Sequence, residues 1–93
     1  MKTTRIELVK TGCSPSELTL PEGRTKFDVE NIDADAIDEF EILDGAKVVG
    51  EIEQIAPGLS KSFTVTLKPG TFVLWCPGGS EKDGKGTLEV TAG

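Results

Sequence analysis

The stretch TFVLWCPGGSEKDGKGTLEV, residues 71–90, decides the fold. Phe72, Leu74 and Cys76 alternate with Val73 and Trp75, so one apolar face recurs with the two-residue period of a strand. Pro77-Gly78 then breaks the run, a polar loop follows, and Gly86–Thr91 resumes the alternation as a returning strand. A cysteine therefore sits where strand meets loop, on the side that should face a core.

Working outward, Phe63, Val65 and Leu67 share one face of the preceding strand, and Pro69-Gly70 turns it into the next. The same pattern of short Val-, Ile-, Thr-, Leu- and Phe-rich runs predicts strands at Arg5–Lys10, Glu17–Leu20, Thr25–Asn31, Asp38–Leu43, Lys47–Ile55, Lys61–Lys68, Thr71–Cys76 and Gly86–Thr91. Turn residues punctuate them at Pro21-Glu22-Gly23, Asp44-Gly45 and Pro57-Gly58, of which Asp44-Gly45 is the strongest hairpin signal. Helical periodicity is weak throughout. About eight short strands without helical crossovers predict one domain over residues 1–93, an all-β, antiparallel two-sheet Greek-key sandwich.

Charge and composition narrow the function. The chain of 93 residues carries 16 acidic against 10 basic side chains, a formal charge of −6, and no histidine. Nucleic acid and anionic membranes are poor partners for such a surface, because both are held by clustered Lys and Arg. Without histidine the usual general base is missing, and no Ser-His or Cys-His nucleophile can be assembled. We therefore expect a binding module and no enzyme. No apolar run is long enough to span a bilayer, so membrane insertion is not expected, and the opening MKTTRIELVK lacks the hydrophobic segment of an export leader.

From Asp28 to Asp44 there are eight acidic residues and no basic one, a run that attracts cations or simply keeps a small surface solvated. Asp33-Ala34-Asp35 is no calcium loop, since Ile37 stands where the third oxygen ligand belongs and Asp38 where glycine is required. Glu51 and Glu53 share a strand face, as paired carboxylates or as two exposed acids. Trp75 alternates away from Cys76, which fits a partly buried sheet face. The two cysteines, Cys13 and Cys76, do not form a C-x-x-C pair, and neither has a cationic neighbour to lower its pKa, so thiol-redox chemistry is the weakest reading.

The hairpin of Cys76, Pro77-Gly78 and Gly84-Lys85-Gly86-Thr87-Leu88 resembles the ligand loop of cupredoxins. In that family a cysteine, a histidine and a methionine on this loop, with a second histidine on a middle strand, surround one copper. Here the corresponding positions are Cys76, Gly79, Gly84 and Asp38. A blue-copper centre needs two imidazoles and a thiolate, which this chain cannot supply.

A narrower resemblance rests on Gly12-Cys13-Ser14-Pro15, Glu39-Phe40-Glu41-Ile42-Leu43-Asp44-Gly45, Ile55-Ala56-Pro57-Gly58-Leu59-Ser60 and Leu67-Lys68-Pro69-Gly70-Thr71. In this order and spacing they resemble the cupredoxin-like domain of the EfeO-type, imelysin-associated iron-uptake family. The resemblance implies a periplasmic or extracellular module that binds a copper or iron ion through Cys13, Cys76 and Glu39, with Glu41, Glu51 and Glu53 as further acidic neighbours. It also implies an imelysin-type protein or a ferrous-iron permease as partner. The alternative is a structural or protein-interaction sandwich in which Cys13 and Cys76 form a disulfide and no metal is held.

Overall fold

A computed structural model describes residues 2–34, 38–77 and 84–93. Among them lie nine strands and no helix: β1 (Lys2–Val9), β2 (Gly12–Ser14), β3 (Glu17–Pro21), β4 (Gly23–Asn31), β5 (Asp38–Asp44), β6 (Lys47–Ile55), β7 (Ser60–Leu67), β8 (Gly70–Trp75) and β9 (Lys85–Thr91). They form two sheets, one ordered β2-β1-β4-β7 and the other β3-β9-β8-β5-β6. The turns predicted at Pro21-Glu22-Gly23, Asp44-Gly45, Pro57-Gly58 and Pro69-Gly70 each fall at the junction of consecutive strands, and of these Asp44-Gly45 closes a hairpin, β5–β6; Gly78, Gly79 and residues 35–37 lie outside the described residues.

Two expectations change. The sheets are mixed rather than antiparallel, since β1 runs parallel to β4 and β3 runs parallel to β9. Strand direction leaves no trace in an alternating pattern, because both ladder types place side chains with the same period. The ninth strand, β2, is only three residues long and pairs with β1 through Leu8↔Cys13. It is too short to show periodicity of its own.

The core lies between the sheets. Ile6, Leu8, Phe27, Val29 and Leu67 point inward from one sheet and Phe40, Ile42, Phe72, Leu74 and Leu88 from the other, each at most 9% exposed. Phe63 and Val65 pack partly buried against this core, and Trp75 faces the other way, half-buried. Phe27, Phe40 and Phe63 form an aromatic cluster across the two sheets, with ring centroids 5.5–6.0 Å apart. Gly50 on β6 admits the Phe63 ring, since a Cβ there would stand 2.8 Å from the ring edge.

At one pole two strand ends are tied by a buried amide. Asn31 donates from Nδ2 to the Ile55 carbonyl at 2.9 Å and accepts from the Ala34 N–H at 3.0 Å, so it joins the end of β4 to the end of β6. The same pole holds Cys13, Cys76 and the first residues of β5.

Candidate metal centre

The two cysteines meet. Cys13 on β2 and Cys76 just beyond β8 form a disulfide that crosses from one sheet to the other, with Cα atoms 5.4 Å apart. Both are buried, at 6% and 0% exposure, and belong to the hydrophobic core. Gly84 closes over this bond: its carbonyl accepts the Cys76 N–H at 2.6 Å, and it has a φ of 48°. A Cβ at Gly84 would collide with the Cys76 carbonyl, so a side chain of methionine size has no room at that position.

The glutamates meet elsewhere. Glu39 and Glu41 flank the inward-facing Phe40 on β5, so their side chains leave the opposite face of the five-stranded sheet. Glu41 is the register partner of Glu51 on β6 and of Trp75 on β8. Glu53 joins them because it follows Ile52, the partner of Phe40; between the pairs Phe40↔Ile52 and Asp38↔Ile55, β6 then takes one extra residue, and Gln54 has a φ of 59°. The bulge keeps Ile55 buried and leaves Glu53 on the outer face beside Glu39. The carboxylates of Glu39, Glu41 and Glu53 then lie within 4.8 Å of one another.

Glu41 dominates the electrostatics. It is 9% exposed although it faces outward. Burial first, then hydrogen bonding and repulsion from Glu39 and Glu51, push its pKa up from 4.5 to about 7. A cation placed among these carboxylates would relieve that repulsion. Lys61 on β7 approaches the rim, where its Nζ donates to the Glu53 backbone carbonyl at 3.0 Å.

The six residues that sequence reasoning gathered into one site are thus divided by the sheet. Cys13 and Cys76 pair on its core side, and Glu39, Glu41, Glu51 and Glu53 cluster on its outer side. A mixed sulfur and carboxylate site does not form, because Cys76 shares a face with Leu74 and Phe40 while Glu41 shares the other with Trp75. Disulfide sulfurs also carry no thiolate charge with which to bind a soft metal. Asp38, at the position of the family's second histidine, is 3% exposed and its Oδ1 accepts the Glu39 N–H at 2.7 Å.

Residues 1–90 match the family model of the cupredoxin-like domain. The chain belongs to this family. It is 43% identical over 81 residues, 87% of its length, to the iron uptake system component EfeO of Yersinia pestis, and spans 21% of that relative. Its fold is similar to auracyanin from Roseiflexus castenholzii, at a TM-score of 0.77 and 19% identity over 96% of each chain. It is likewise similar to rusticyanin from Thiobacillus ferrooxidans, a copper protein, at a TM-score of 0.75 and 15% identity, covering 98% of this chain and 79% of that one. At such identities the structural neighbours establish the fold of this cupredoxin-like domain alone.

Proposed function

We propose that this cupredoxin-like domain is an extracytoplasmic cation-binding module of an iron-uptake system, with the cation held by Glu39, Glu41 and Glu53 and with Glu51 at the rim. The observation that carries this reading is the convergence of three carboxylates within 4.8 Å around the buried Glu41. Oxygen donors favour hard cations, so iron suits the site better than copper, and Cu(I) least of all. Similarity to an iron-uptake component supports the system, and a buried disulfide supports an oxidising compartment such as the periplasm or the extracellular space. An imelysin-type protein or a ferrous-iron permease is the partner to which such a module would pass its cation.

Equilibrium dialysis against Fe(II) under anaerobic conditions, followed by elemental analysis, tests the reading. About one equivalent should be retained, and Glu41→Gln should weaken retention by an order of magnitude or more. Retention that is unchanged in Glu41→Gln would overturn it.

The disulfide favours a second reading, a structural or interaction domain stapled by Cys13–Cys76. In that case neither the unaltered protein nor the variant retains metal.

A further inference from the structure

A concavity lies at the pole opposite the disulfide, beside edge strands β6 and β7 of the two sheets. It has a volume of about 370 Å³, and its apolar floor is built by Val49, Leu67 and Phe72. Leu67 and Phe72 are core residues, 3% and 9% exposed, so the pocket opens directly onto the hydrophobic interior. That volume falls within the range of small-molecule sites.

The mouth has a different chemistry from the rest of the molecule. Lys47 and Lys68 line it, opposed by Asp44 alone among charged lining residues. Neither lysine forms an ion pair or a side-chain hydrogen bond among the described residues. A chain of net charge −6 therefore sets two lysines against one aspartate around an apolar recess, a local excess of the sign opposite to the whole. Apolar depth and cationic rim together select a ligand with a hydrophobic body and an anionic head.

We propose that this pocket is a binding site for a small organic carboxylate with a compact apolar body, which inserts between Leu67 and Phe72 and pairs its carboxylate with Lys47 and Lys68. The site is separate from the carboxylate cluster, so it stands or falls independently of cation binding.

The test is a titration of the isotopically labelled protein with benzoate, followed by 1H–15N chemical shifts, with benzyl alcohol as a probe of the same body without the charge. Benzoate should shift amides of residues 44–49 and 66–72 in a saturable way, and should bind at least tenfold more tightly than benzyl alcohol. The double variant Lys47→Gln/Lys68→Gln, both substitutions at exposed positions, should lose that tenfold preference and keep the weaker binding. Equal affinity for the two probes, shifts that are not confined to these segments, or a preference for benzoate that survives in the double variant would each overturn the proposal.

Discussion

Glu41 concentrates the physical tension of the molecule in one side chain. In the unfolded chain its carboxyl has the ordinary pKa of 4.5, whereas burial and its acidic neighbours raise it to about 7 in the fold. Between these values the folded state binds the proton more tightly than the unfolded one. Its contribution to stability is therefore fully present below about pH 4.5 and is lost as pH rises through 7. Urea unfolding in the presence of a chelator should show stability falling across this window by up to a few kcal/mol, and Glu41→Gln should flatten the slope. The placement of Glu41 was legible in the sequence: Glu39 and Glu41 bracket Phe40, so a core-facing Phe40 sends both acids outward. Its burial was not, because an outward carboxylate becomes covered only when neighbouring strands bring Trp75 and Glu51 beside it. Gly84 makes the complementary point for the copper question. Gly84→Ala should destabilise the domain by 1 kcal/mol or more, since the new Cβ meets the Cys76 carbonyl in a backbone conformation that L-residues disfavour.

Among the elements, the register of β5 on β6 assembles the carboxylate cluster and the bulge beside it restores the core, and no sequence period announces that bulge. Glu51, Glu53 and Ile55 would share one face in a regular strand, and the extra residue at Gln54 is what turns Ile55 into the core while Glu51 and Glu53 stay outside. Gln54 holds a positive φ that glycine adopts without strain. Gln54→Gly should accordingly raise the unfolding free energy slightly, by about 0.5–1 kcal/mol in chemical denaturation, without disturbing the cluster. Strands β7 and β8 were the most legible elements, because Phe63-Val65-Leu67 and Phe72-Leu74-Cys76 alternate cleanly and sit on the faces that their period implies. The aromatic triad rests on β4, β5 and β7 together. Truncating Phe40 to alanine at its centre should cost about 3–5 kcal/mol, as measured by chemical denaturation.

For the molecule as a whole, the disulfide and the acidic cluster are separate devices on opposite sides of one sheet. The disulfide joins residues 63 apart in sequence, and closing a loop of that length stabilises by about 4 kcal/mol in the chain-entropy model. It holds the two sheets together at the pole where a cupredoxin carries copper, while the cluster offers oxygen donors on the outer face of β5 and β6. That division was only half legible. The motifs named residues that the fold brings together in two separate groups, but the convergence of Glu39 with Cys13 and Cys76 required all three to share a face, which the alternation around Phe40 and Cys76 forbids. On the proposal made above, cation binding belongs to the carboxylates and is independent of the sulfurs. Trp75, the chain's single tryptophan, is the register partner of Glu41 and reports on it directly. Its fluorescence should be quenched by one equivalent of Fe(II) both in the disulfide-bonded protein and in Cys13→Ser/Cys76→Ser held under folding conditions, but not in Glu39→Gln/Glu41→Gln/Glu53→Gln. Quenching that requires the free thiols, or that persists in the triple glutamate variant, would contradict the account.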